Sequence, residues 1–120
     1  MADTSRHNDL QLLHEPFRTR ITELLERMKL RGFDPILFET LRTLERQKWL
    51  YEIGRTREKD RKPVTWTMKS KHFSGQACDI VSKSRLWDWP EFFSALRQEA
   101  NRLKLRVLRT EQCHVEWAGQ

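Results

Sequence analysis

Two histidines and one aspartate stand out in this sequence for where they lie. His72 opens the uncharged run His72 to Cys78, and His114 lies close to the end of the chain in a second apolar stretch. Asp79 is the single charge in Ala-Cys-Asp-Ile-Val-Ser, and a lone carboxylate among such neighbours is costly to bury unless something positive meets it. Two imidazoles and a carboxylate make an open zinc site: three protein ligands, with a fourth position left for water. The step from His72 to Asp79 is long enough for a turn at Ser74-Gly75 to fold the histidine back beside a strand. The alternative is a buried Asp79 paired with a nearby arginine and two unrelated polar histidines. Spacing alone does not separate these readings. His7 and His14, in or near the polar first residues, read as surface groups.

Hydrolysis at such a site needs a general base beside the attacking water and a cation or donor for the developing oxyanion. Glu111, at a turn just before His114, can cross the open position. Glu116 shares the strand face of His114 and can instead hold an imidazole or an arginine. Physical reasoning leaves that choice open. Arg55 follows Gly54 at a helix end, from which a long side chain can turn inward; a charge complementing the helix dipole is the plainer account. Strand alternation puts Ala77 and Val81 on the side of Asp79 and points Cys78 and Cys113 the other way, into the core, as inert thiols. Two cysteines are too few for a disulfide scaffold or a Cys-based zinc finger. The consecutive Cys113 and His114 cannot aim at one point as a nucleophilic dyad. Four scattered glycines build neither a P-loop nor a dinucleotide fingerprint.

The elements that must position these groups follow from pattern. Phe17, Ile21, Leu24, Leu25 and Met28 recur at helical spacing between Pro16 and Gly32. Ile36 to Thr40 alternates as a short strand after Asp34-Pro35, and Leu44 to Ile53 reads as a helix stopped by Gly54. Val64 to Met68 is extended, Ala77 to Ser82 is a buried strand, and Asp88-Trp89-Pro90 opens a helix with Phe92, Phe93, Leu96, Ala100 and Leu103 on one side. Leu105 to Leu108 and Cys113 to Trp117 are the last two strands. That order predicts an α+β fold, a small central antiparallel sheet with flanking helices. Residues 1 to 13 form a loose lead-in to a single domain.

A chain of 120 residues with 33% charged residues suits one domain, and the absence of a long uncharged run rules out a membrane-spanning helix. The start shows no basic patch followed by an apolar run, so the expectation is synthesis in the cytoplasm without a signal peptide. The net charge of +6, concentrated between Arg55 and Lys71, favours polyanions. One rival reading is a nucleic-acid-binding module, with Trp66 stacking on a base, but it leaves Asp79, His72 and His114 unexplained.

Ser70-Lys71-His72-Phe73-Ser74-Gly75-Gln76-Ala77-Cys78-Asp79 resembles the SxHxxGxAxD signature of the VanY/VanX-like zinc D,D- and L,D-peptidases and phage endolysins of peptidase family M15. Glu111-Gln112-Cys113-His114 resembles their ExxH element. Arg42-Thr43, Gln47, Leu50-Tyr51 and Gly54-Arg55-Thr56 resemble a segment of the L-alanyl-D-glutamate endopeptidase endolysins. The resemblance implies a hedgehog/DD-peptidase-like fold, one Zn2+ held by His72, Asp79 and His114, Glu111 as catalytic base and Arg55 as oxyanion stabiliser. Ser70, Gln47 and Tyr51 would line the substrate site. The implied substrate is the peptide stem of peptidoglycan, cut by a monomer that a holin releases to the wall if it is a phage lysin. A D-Ala-D-Ala carboxypeptidase or dipeptidase of the same family is the competing enzyme. An inactive zinc-bound relative is a further alternative, against which Glu111 counts. The Gly-Gly-x-Trp stretch usual ahead of ExxH is replaced by Leu105 to Thr110, and the glycine-containing loop after Gly54-Arg55-Thr56 by Arg57 to Lys62.

Overall fold

The computed structural model describes residues 4–56, 58, 71–108 and 111–119. Helix α1 (Glu15–Leu30) carries Pro16 in its first turn, and Phe17, Ile21, Leu24 and Met28 make one buried stripe along it. Helix α2 (Leu44–Glu52) starts at Thr43, whose hydroxyl accepts the Arg46 N–H at 3.1 Å. Helix α3 (Pro90–Arg102) buries Phe92, Phe93, Leu96 and Ala100. Strands β1 (Pro35–Glu39), β2 (Ala77–Ser82), β3 (Arg106–Val107) and β4 (His114–Glu116) form one antiparallel sheet in the order β1-β2-β4-β3. This is the α+β architecture that the pattern predicts, with the last two strands shorter than the apolar runs that signalled them.

Cys78, Ile80 and Val115 turn one face of the sheet into the core shared with α1 and α3. The two helices are also pinned by Glu99, which is buried and faces Arg31 at 2.9 Å, Arg102 at 3.3 Å and Arg27 at 3.5 Å. Asp79, His114 and Glu116 lie on the opposite face of the sheet. A bulge between Leu37 and Glu39 adds one residue to β1, so that Glu39 rather than Phe38 pairs with Asp79. That slip brings a second carboxylate up to the first.

The lead-in differs from expectation. Residues Leu10–Leu12 form a 3-10 turn capped by Asp9, Leu13 is buried in the core, and the His14 N–H donates to the Gly75 carbonyl at 3.0 Å. Its side chains are mostly polar, and it docks largely through its backbone, which no hydrophobic pattern reveals. The Val64 to Met68 segment and Ser70 lie outside the described residues, as does most of the basic stretch between Arg55 and Lys71. Among the described residues no helix is long and apolar enough to cross a membrane.

Candidate metal centre

Three elements deliver the three predicted ligands to one point. Asp79 on β2 and His114 on β4 are direct partners across the ladder. His72 lies in the 3-10 turn Lys71–Ser74, which Gly75 (φ +70) ends by reversing the chain into β2. A side chain at Gly75 would place its Cβ 2.7 Å from the Leu12 carbonyl oxygen, so the turn needs glycine for both conformation and room. One donor atom from each of His72, Asp79 and His114 lies within 4.8 Å of the others.

Hydrogen bonds decide which nitrogen each imidazole offers. His72 Nδ1 lies 2.7 Å from the Thr40 carbonyl, which can only accept, so Nδ1 carries the proton and the Nε2 lone pair faces Asp79 Oδ1 at 3.6 Å. His114 is turned the other way. Its Nε2 donates to Glu116 Oε1 at 2.9 Å, leaving Nδ1 3.6 Å from the same Asp79 oxygen. That Nδ1 is buried and has no hydrogen-bond partner. Both separations exceed hydrogen-bond length, and both lone pairs aim at an anionic oxygen. Such a geometry repels unless a cation, proton or metal, sits between. The donor set, two imidazoles and a carboxylate, suits zinc, with His72 Nε2, His114 Nδ1 and Asp79 Oδ1 as the atoms that would hold it.

The second Asp79 oxygen has its own partner. Arg42 Nη2 lies 3.4 Å from Asp79 Oδ2 and 2.8 Å from Glu39 Oε1, while Nη1 donates to Gln47 Oε1 at 2.6 Å. Glu39 is held on its other side by Arg46 at 3.0 Å. The two readings of the sequence are thus not exclusive: Asp79 faces an arginine through one oxygen and the imidazoles through the other. Burial pushes the Asp79 carboxyl up, but the two imidazoles more than offset this and hold it well below the usual carboxylate range. Burial likewise pulls His114 down, and Asp79, with Glu116 and Glu111, reverses the direction and raises it.

The remaining predicted residues divide. Glu111 Oε2 lies 3.5 Å from His114 Nδ1 with about a third of its side chain exposed, beside the ligands and open to solvent. Glu116 is buried and acts on the outer nitrogen of His114, with Lys71 at 3.4 Å from its other oxygen. Arg55 turns onto its own helix, donating to the Tyr51 carbonyl at 2.6 Å and stacking 4.0 Å above the Tyr51 ring. Gln47 is fully buried, with its amide oxygen on Arg42. Both cysteines are free thiols; burial raises both, Cys113 to about 12. Thr40, Glu39 and Arg42 were not singled out as site residues from sequence. Arg42 fell within a motif match but was one of 23 Lys and Arg residues, and the bulge that swings Glu39 round leaves no mark in the residue pattern.

No family model and no curated protein matches the sequence. Solved structures do match. The LD-carboxypeptidase LdcB aligns with a TM-score of 0.68 at 18% identity, over 96% of this chain and 64% of its own. The chain therefore spans under two thirds of LdcB. The Serratia marcescens L-Ala D-Glu endopeptidase ChiX aligns at 0.58 and 22% identity, over 91% of this chain and 83% of its own. VanYB in complex with D-alanine-D-alanine aligns at 0.73 and 17% identity, over 99% and 80%. A VanY D,D-pentapeptidase structure in complex with Zn(II) aligns at 0.66 and 16% identity, over 89% and 73%. At these identities the likeness establishes a common fold, and the chain has the fold of these peptidases.

Proposed function

We propose that this protein is a zinc metallopeptidase that hydrolyses the peptide stem of bacterial peptidoglycan. The observation that carries the reading is the pair of imidazole lone pairs, each fixed by an outer hydrogen bond and each aimed at one Asp79 oxygen. The Zn(II)-bound VanY structure and the peptidoglycan-directed neighbours on the same fold support it. Zinc at this position supplies Lewis-acid polarisation of the scissile carbonyl and a water made acidic enough to attack near neutral pH. Glu111, whose carboxylate stands beside the ligands and open to solvent, would take the proton of the attacking water and pass it to the leaving amine. Thr40 and Glu116 hold the two imidazoles in the tautomers that turn the inner nitrogens' lone pairs towards Asp79. Arg42 is the described cation at the ligand cluster, where it offsets the charge of the outer Asp79 oxygen and of Glu39.

The finer reading is an L-alanyl-D-glutamate endopeptidase of the endolysin type, supported by the sequence segment from Arg42 to Thr56 and by ChiX. A D-Ala-D-Ala carboxypeptidase is the second reading, favoured by the fit to VanYB. Metal analysis should find about one zinc per chain. Mass spectrometry of purified peptidoglycan after digestion should show cuts within the stem, with the fragment masses naming the bond. Protein that binds no zinc and releases no stem fragments would overturn the reading.

A further inference from the structure

The sheet face that carries the ligands continues past Asp79 to Val81, about 7 Å further along β2. Val81 is completely buried, and two aromatic rings gather at this end of the face. Phe38 occupies the β1 bulge beside Glu39 and is partly buried. Trp87 meets it edge to face, with ring centroids 4.7 Å apart and planes at 76°. The chain brings Trp87 there because Leu86 bridges to Ser82, filling the place beside β2 that β4 does not reach. Trp87 is thus held through its ring by Phe38 and through its backbone by the neighbouring Leu86–Ser82 bridge. It nevertheless leaves 49% of its surface in solvent, the one exposed aromatic side chain among the described residues.

The other flank of the ligand cluster is of opposite character. Beyond His114 lies Glu116, with Lys71 and Arg106 around its outer oxygen at 3.4 and 3.8 Å. A peptide whose scissile carbonyl reaches the cluster therefore has a charged flank on one side and an aromatic one on the other. We propose that Trp87, backed by Phe38, is a specificity-determining contact: a rigid apolar shelf that takes an aliphatic side chain of the stem peptide next to the scissile bond. This rests on the peptidase reading above and assigns one flank of that site. A ring held in this way gives contact area at little entropic cost. Covering part of its exposed half is worth about tenfold in kcat/KM.

The test uses zinc-loaded full-length protein, Trp87→Ala and Trp87→Phe, and two synthetic stem peptides, one with aliphatic side chains flanking the scissile bond and one with glycine there. The intact protein should prefer the aliphatic peptide. Trp87→Ala should lose about tenfold on it, mainly in KM, and little on the glycine peptide, with Trp87→Phe in between. Equal losses on both peptides, or no loss on either, overturn the shelf. Zinc content and melting temperature of Trp87→Phe should match the parent, and that variant decides the matter if Trp87→Ala does not fold. If the parent cleaves neither peptide the peptidase reading fails. Calorimetric titration of both peptides into zinc-loaded Glu111→Gln, with and without Trp87→Phe, then decides the shelf by itself: an unchanged preference, or no binding, counts against it.

Discussion

At the scale of single residues the site is an arrangement of protons. Thr40 and Glu116 each claim the outer N–H of an imidazole, so their loss should be read in metal affinity before activity. Glu116→Gln is expected to weaken zinc binding by about tenfold to a hundredfold in competition with a chromogenic chelator. Asp79→Ala should abolish binding, and zinc retained in that variant would refute the ligand set. Glu111→Gln should keep zinc and fold while losing at least about a hundredfold in turnover. Arg42→Ala should reduce both zinc affinity and turnover more than Arg55→Ala, because only Arg42 is seen against Asp79. The raised His114 has a signed consequence. In metal-free protein its protonated form is favoured by folding, so this contribution to stability is full below the unfolded imidazole value and is lost as pH rises through the folded one. Zinc competes with that proton, so measured zinc affinity should climb with pH through the raised value.

At the scale of elements, α1, α3 and the β2 strand were legible because each has a stripe or a run that a core must cover. Phe17, Ile21, Leu24 and Met28 give α1 away, and Ala77 to Ser82 reads as a buried strand. The grouping of His72, Asp79 and His114 was legible for a different reason: a lone carboxylate in an apolar run is anomalous, and the spacing of its companions matches a known signature. The bulge in β1, the docking of residues 4–13 and the place of Trp87 were not legible. Backbone bonds and a one-residue slip leave the order of residue types unchanged. Two local devices yield further expectations. Gly75→Ala meets both a left-handed backbone and the Leu12 carbonyl, and should cost on the order of 1–3 kcal/mol in denaturant unfolding, with weaker zinc binding through His72. Asp34 accepts the Ser82 hydroxyl at 2.6 Å and the Ser84 N–H at 2.9 Å, tying the start of β1 to the turn after β2, and these bonds lower its carboxyl. Its stabilisation is therefore present above the unfolded carboxyl value and fades as pH falls below about 4. Melting curves of Asp34→Asn should lie below the parent at neutral pH and converge with it in acid.

At the scale of the whole molecule, a small domain with three buried ligands should lean on its ion. Zinc at a hundred times its dissociation constant adds about 2.7 kcal/mol, on the order of 10 °C in melting temperature for a chain of this size, and a chelator should remove it. The same dependence reaches the first residues. The His7 carbonyl receives both the N–H and the hydroxyl of Thr40, at 2.7 and 3.1 Å, and the Thr40 carbonyl in turn holds His72. Arg46, which grips Glu39, also donates to the Thr4 carbonyl at 3.3 Å. Purification schemes that trim or extend the amino terminus by a few residues would thus yield different chelators, alike in circular dichroism and unlike in how tightly they keep their ion.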